Sequence, residues 1–303
     1  MGFSINTAYD GTNKREWYSN LFNQIEVFPH YQSVFGNKFQ VKIPKMVISQ
    51  PLKADSCAYA SSGTTTITEK IIAVCDIAIN QTLCIDDLEG TFESEYMKSG
   101  ALNSDIPQLM FDYMNQYMTE TVRGDLGTLA WLGDTASGTY PLYLCDGLRK
   151  KLVNTAYSAS TVNLTATTVT SSNALTEVGK LFANAPAVLM QGNNRSKLFI
   201  QASPGVVTAY EQAVAAQNSQ TVNQTQNLNY LGIPIIVAPD MASSEMLLTI
   251  DGNIVWSSDL RSDWETLKAI DMRETTGDNA IRLIGRMKFG IEVYNPQYVV
   301  FYK

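Results

Sequence analysis

The sequence predicts a mixed α+β fold, and three observations carry that reading. Residues 104–131 repeat apolar side chains at helical spacing. Residues 38–85 alternate apolar and polar side chains on both sides of a Gly/Ser/Thr-rich tip. Strand and helix signals then alternate through 173–250, and the chain closes in a β-rich tail.

Residues 1–34 are polar with scattered aromatics, among them Phe3, Tyr9, Trp17, Tyr18, Phe22 and Phe28. Their periodicity is weak, so they read as an extended arm with a short helix near 14–24. Next, Phe39, Val41 and Ile43 alternate with Lys38, Gln40 and Lys42, which is a strand pattern. A polar tip follows, running from Pro51 and Lys53 to Ser61-Ser62-Gly63, and then a second β-rich run from Ile67 to Ile85. Together these predict one long hairpin over 38–85. An isolated two-stranded hairpin is marginal in water, so a projecting one needs another surface to lie on.

The long helix over 104–131 begins at Ser104 or Asp105, with Pro107 in the first turn, where a missing N–H costs little. Its stripe runs through Ile106, Leu109, Met110, Tyr113, Met114, Tyr117, Met118, Val122, Leu126 and Leu129. At 1.5 Å per residue it spans roughly 40 Å. Gly133 breaks it, a new segment starts at Pro141, and Asp146-Gly147 makes a turn.

Residues 152–172 are Thr/Ser/Val-rich and read as loops and edge strands. A helix follows from Asn173, with Leu175, Val178, Leu181 and Phe182 on one face, and Pro186 ends its exit loop. Lys197–Ala202 is a strand, and Ser203-Pro204 starts a helix that runs to about Gln217. Further strands are expected at 233–237 and 246–250, the latter closed by Asp251-Gly252. Three or four more strands fill 267–302, punctuated by Thr276-Gly277-Asp278-Asn279 and Asn295-Pro296.

Composition narrows the function. The 303 residues allow one large domain or two connected ones. Only 17% are charged, and Asn, Gln, Ser and Thr fill the difference, giving surfaces that dehydrate cheaply and suit extensive contacts. A net charge of −7 argues against broad nucleic-acid binding, which needs a concentrated basic footprint. The longest basic run, Arg149-Lys150-Lys151, reads as a solvated helix face. The 4 cysteines, Cys57, Cys75, Cys84 and Cys145, form no CxxC pair. All are expected to be reduced, mostly buried apolar residues in a reducing cytoplasm. No secretory signal and no apolar stretch long enough to cross a bilayer is apparent.

Catalytic chemistry has little to draw on. His30 is the single histidine, and no nucleophile motif accompanies it. HExxH, a phosphate-binding glycine loop and an EF-hand loop are all absent. Asp86-Asp87-Leu88-Glu89 reads as a helix start or solvated cluster before it reads as a cation site. The expectation is a protein that is not an enzyme and has no cofactor, metal or catalytic residue.

Taken in order, these elements resemble the major capsid proteins of tailed bacteriophages, the Hong Kong 97-type fold. The residues that carry the resemblance are Trp131-Leu132-Gly133-Asp134 at the helix exit, Gly147-Leu148 after it, Leu231-Gly232-Ile233-Pro234, and the closing Phe289-Gly290-Ile291-Glu292-Val293-Tyr294-Asn295-Pro296. The resemblance covers nearly the whole chain. It implies an amino-terminal arm (1–37), an extended hairpin loop (38–85), a peripheral domain with a spine helix (86–140), an axial domain (141–258) and returning peripheral strands (259–303). It implies a shell subunit that assembles into pentamers and hexamers of an icosahedral head around double-stranded DNA. Inter-subunit contacts are then expected from Pro51, Lys53, Asp55, Tyr59 and Thr64 on the loop, from Trp17 and Tyr18 on the arm, and from Arg273, Glu274 and Asp278 on a peripheral loop.

The implied partners are other copies of the chain, portal and decoration proteins, and packaged DNA held without sequence-specific contacts. No membrane is implied, and the implied location is the virion, after assembly in the host cytoplasm. Only about 40 residues precede the hairpin, so a long amino-terminal scaffolding segment is not expected, and a separate scaffolding protein, or none, is implied. Nothing marks the lysine–asparagine cross-linking of some members, although Lys53 lies on the loop. The nearest rival is an encapsulin-type compartment shell of the same fold. More distant are a secreted β-rich adhesin, against which the long helix weighs, and a hydrolase, for which one histidine leaves little room.

Overall fold

A computed structural model describes residues 27–55, 61–84, 108–153, 161–218, 228–259, 268–273 and 276–303. In chain order the strands are β1 (Gln32–Val34), β2 (Gln40–Ser49), β3 (Thr64–Ala73) and β4 (Cys75–Cys84). Helix α1 (Gln108–Leu132) and helix α2 (Leu148–Val153) follow, then β5 (Val162–Leu164) and helix α3 (Ala174–Ala183). Next come β6 (Leu198–Ala202), helix α4 (Pro204–Asn218), β7 (Asn229–Tyr230), β8 (Ile233–Val237), β9 (Met246–Ile250) and β10 (Ile254–Ser257). The chain closes with β11 (Lys268–Asp271), β12 (Ala280–Val293) and β13 (Val299–Tyr302).

Among the described residues these strands form two sheets and one separate hairpin. In the first sheet β12 is the hub: β4 pairs with it over ten positions, from Cys84↔Ala280 to Cys75↔Phe289, while β11 and β10 pair with its two halves and β1 joins β10 in parallel. Along β12, Ile281, Leu283, Met287, Phe289 and Ile291 are buried, whereas Arg282 and Arg286 are exposed, the alternation of a sheet with one covered face. The cover is α1. Its Leu126, Leu129, Ala130 and Trp131 join Met287, Phe289 and Ile291 in one core. The helix ends where predicted, because a Cβ on Gly133 would stand 2.3 Å from the Cys145 carbonyl oxygen and 2.5 Å from that of Leu129.

The second sheet runs β5-β13-β9-β6-β8-β7. Its β6–α4–β8 unit is a parallel crossover, and α3 and α4 bury Val178, Leu181, Val206 and Tyr210 against it. Pro204 opens α4 as the sequence indicates, but the buried Ser203 hydroxyl has no hydrogen-bond partner, so the cap is made by the backbone, with Val207 N–H donating to Ser203 O at 3.1 Å.

Several expectations are corrected. The hairpin is β2–β3 alone and ends at Ala73, because β4, read as part of it, crosses to β12. The last strand, β13, belongs to the second sheet with β9, and β10 belongs to the first, so neither sheet follows the boundaries drawn at 258 and 259. The end of the arm is core: Phe28 is buried and stacks on Trp256 and Phe289 at 5.6 and 6.3 Å. The helix expected at 14–24 lies outside the described residues. Tyr117, placed in the core stripe of α1, is 67% exposed.

Two of the cysteines are not reduced: Cys75 and Cys145 are joined by a disulfide between the start of β4 and the segment after α1. Cys84 is free, and Cys57 lies outside the described residues. Nor is Arg149-Lys150-Lys151 a solvated face. Arg149 pairs with Glu245 at 2.6 Å, Lys150 with Asp134 and Asp146 at 2.7 and 2.6 Å, and Lys151 with Glu292 at 3.0 Å.

Candidate interaction surface

The β2–β3 hairpin pairs with no other strand among the described residues. Its register puts Met46 opposite Ile67, Ile48 opposite Thr65 and Lys42 opposite Ile71, all on one face by the strand's two-residue period. Met46, Ile48, Ile67 and Ile71 are 61%, 56%, 64% and 47% exposed, so this face is an uncovered apolar stripe. A Lys42–Glu69 ion pair at 2.6 Å flanks it. Val47, on the opposite face, is also exposed, and Leu52 at the tip is almost wholly so. The outer half of the hairpin is therefore bare on both sides.

The root, by contrast, is held firmly. Val74 N–H donates to Phe39 O, Asn37 Nδ2 to Ile72 O, and Tyr294 Oη to Pro44 O. Lys45 Nζ reaches Asn295 Oδ1 at 3.1 Å. Gly290 is required here, because a Cβ would fall 2.2 Å from the Ala73 carbonyl oxygen. Lys70 Nζ lies 3.8 Å from the buried Glu292 carboxylate, which Lys151 also holds. Burial pulls the Lys70 ammonium below its usual pKa, Glu292 opposes that, and neighbouring Lys151 and Lys45 add to it.

The residues expected to make contacts are placed as follows. Pro51, Lys53 and Asp55 are exposed at the hairpin tip. Thr64 opens β3, and its Oγ1 shares a 2.8 Å hydrogen bond with Ser49 Oγ across the strands. Asp278 is exposed and accepts a hydrogen bond from Thr276 Oγ1 at 2.7 Å, while Arg273 is half-buried. Tyr59, Trp17, Tyr18 and Glu274 lie outside the described residues, as does the acidic cluster at 86–89. Sequence reasoning missed the stripe itself. Its signal was present: Met46-Val47-Ile48 and Ile71-Ile72 put apolar residues on both faces, which a strand covered on one side does not need.

His30 packs on Phe199 at 5.0 Å between ring centroids and bonds Asp251 Oδ1 through Nδ1 at 2.7 Å, tying the segment before β1 to the β9–β10 turn. Among the described residues no group of His, Cys, Asp and Glu could hold a metal ion, and no helix is long and apolar enough to cross a membrane.

No family model and no curated protein matches the sequence. Solved structures do. The satellite phage P4 procapsid is similar at 8% identity, with a TM-score of 0.59 over 95% of this chain and 98% of that one. The capsid of the Myoviridae phage XM1 is similar at 11% identity, with a TM-score of 0.57 over 91% of each chain. The virus-like particle from Pyrococcus furiosus is similar at 10% identity, with a TM-score of 0.54 over 96% of this chain and 98% of that one.

Proposed function

From a chain that has the fold of phage major capsid proteins, we propose a structural subunit that assembles with copies of itself into pentamers and hexamers of an icosahedral phage head enclosing double-stranded DNA. The observation that carries the reading is the exposed apolar stripe of Met46, Ile48, Ile67 and Ile71 on a hairpin that pairs with no other strand among the described residues. Such a stripe is costly in an isolated subunit and is relieved in a closed symmetric lattice, where each projection lies on a neighbour.

In this reading the hairpin is the extended loop, the first sheet with α1 is the peripheral domain and the second sheet is the axial domain. Pro51, Lys53, Asp55, Tyr59 and Thr64, with Trp17, Tyr18, Arg273, Glu274 and Asp278, supply contacts between subunits. Many modest interfaces acting together supply the affinity. The protein turns over no substrate. Assembly takes place in the host cytoplasm, with portal, decoration and separate scaffolding proteins as further partners.

A compartment shell that encloses protein cargo is the second reading, favoured by the likeness to the Pyrococcus particle. Expression of the chain alone, followed by negative-stain microscopy and light scattering, tests the shared core of both. Closed shells, sheets or tubes of rings support a shell. A clean monomer that resists assembly under crowding, or with a scaffold candidate, rejects it. Nuclease-protected DNA inside native particles favours the virus, and packaged protein favours the compartment.

A further inference from the structure

We propose that Cys75 and Cys145 form a redox-gated brace: as two thiols they let the hairpin pivot at its root, and as a disulfide they lock it to the exit of α1. Cys75 is the first residue of β4, and only Val74 separates it from Ala73, the last residue of the hairpin. Cys145 is 3% exposed and lies just before α2. Its backbone is closely packed, since its carbonyl oxygen lies against Gly133 and Gly147 N–H donates to Gly133 O at 2.8 Å. The bond therefore transfers the rigidity of the helix end to the pivot.

The other restraints at the root are the Cys75–Phe289 end of the β4–β12 ladder, the Val74–Phe39 backbone hydrogen bond, and hydrogen bonds and ion pairs from Asn37, Lys45, Lys70 and Tyr294. They break and re-form on rotation, and the disulfide cannot. The site also accommodates the open state. The Cys145 sulfur lies 3.4 Å from the Phe289 carbonyl oxygen, so a released thiol has an acceptor in place.

Closure runs by thiol–disulfide exchange with a low-molecular-weight disulfide. The Cys75 thiolate, on the half-buried residue, attacks one sulfur of that disulfide and expels a small thiolate. Cys145 then loses its proton and attacks the Cys75 sulfur of the mixed disulfide, expelling the second small thiolate. Two protein thiols are oxidised and one small disulfide is reduced to two thiols. A chain made in a reducing compartment carries the open brace, and one moved to an oxidising medium closes it. None of this depends on what the hairpin docks against.

The test uses the full chain, prepared with a phosphine reductant and, in parallel, with oxidised glutathione. Alkylation with peptide mapping reads Cys75 and Cys145. Hydrogen exchange reads the hairpin at 40–49 and 64–73, with 198–202 and 246–250 of the second sheet as the control. The expected result is alkylation of both cysteines only in reductant, and hairpin exchange at least about tenfold faster on reduction with the control unchanged. Cys75→Ser should behave like the reduced protein in both media, and the reduced wild type makes the same comparison without any substitution. Equal alkylation in both media, unchanged hairpin exchange, or a rise shared equally by the second sheet would each overturn the brace.

Discussion

Trp131 donates its indole N–H to Glu245 Oε2 at 2.9 Å, from the last turn of α1 to the residue just before β9. Arg149 takes the other oxygen of the same buried carboxylate at 2.6 Å. The trio joins the helix over the first sheet to the start of a central strand of the second, and hydrogen bonds to charged groups are the strong kind. Trp131→Phe should cost about 1–3 kcal/mol in urea unfolding, since it leaves a buried carboxylate one donor short. Glu245→Gln, which keeps an acceptor for the indole, should cost less than Glu245→Ala. Equal losses from both would mean that the carboxylate serves as packing alone.

Three glycines separate flexibility from necessity. Gly124 is exposed in α1 with nothing within 4 Å of its missing Cβ, so Gly124→Ala should stabilise by about 0.5–1 kcal/mol through helix propensity. Gly133→Ala and Gly290→Ala drive a methyl into backbone carbonyls at 2.3 and 2.2 Å and should each cost about 1–3 kcal/mol or more. Thermal melts of the three variants check the opposite signs.

Asp240 sits beside Gly127, accepts a hydrogen bond from Thr128 Oγ1 at 3.0 Å, and helps line a small cavity with Tyr31, Trp131 and Gln201. Burial raises its pKa above the ordinary 3.8, and the Thr128 hydrogen bond opposes that only in part. The folded protein thus binds this proton more tightly than the unfolded chain. The contribution is complete below 3.8 and is lost as pH rises through the raised value. Asp134 and Asp146, held below their usual range at Lys150, act with the opposite sign and lose their contribution as pH falls. For Asp146 burial pushes upward, but the bonds from Lys150 and Thr135 win. Asp240→Asn keeps the acceptor for Thr128 and should remove the decline on the alkaline side, leaving the variant more stable than wild type at neutral pH. Parallel stability–pH curves for the two proteins would refute this.

Met46→Thr combined with Ile67→Thr puts β-branched residues, which suit strands, at both positions while removing apolar area from the stripe. Unfolding free energy of the dispersed chain should change by less than about 0.5 kcal/mol, as expected for exposed positions. Assembly, followed by light scattering and sedimentation, should be lost or shifted to a much higher protein concentration. Intact shells at wild-type concentration would remove the stripe from the interface.

Periodicity made the elements legible and left their partners hidden. Leu126 and Leu129 in α1, Val178 and Leu181 in α3, and the Pro204 start of α4 follow from local pattern and stand as read. The hairpin was read too long because β3 and β4 share one alternating rhythm and only Val74 divides them, while the partner of a strand is written elsewhere in the chain. Cys75 and Cys145 are 70 residues apart, so each taken alone looks like a small buried apolar residue. Lys151 looks solvated until Glu292 arrives beside it. The stripe is visible as composition, but its exposure follows only from knowing that no other strand among the described residues pairs with the hairpin.

The ladder between β4 and β12 also sets a clock. During synthesis β2 and β3 can zip as soon as both emerge, because their register is local. Residues 75–84 must instead wait for residues 280–289, a delay on the order of 10–40 s at about 5–20 residues per second. Throughout that interval β4 is an unpaired edge, the kind of strand that pairs with the wrong chain. A chain cut short before residue 280 would lack the strand that β4 pairs with, and the edge would stay open.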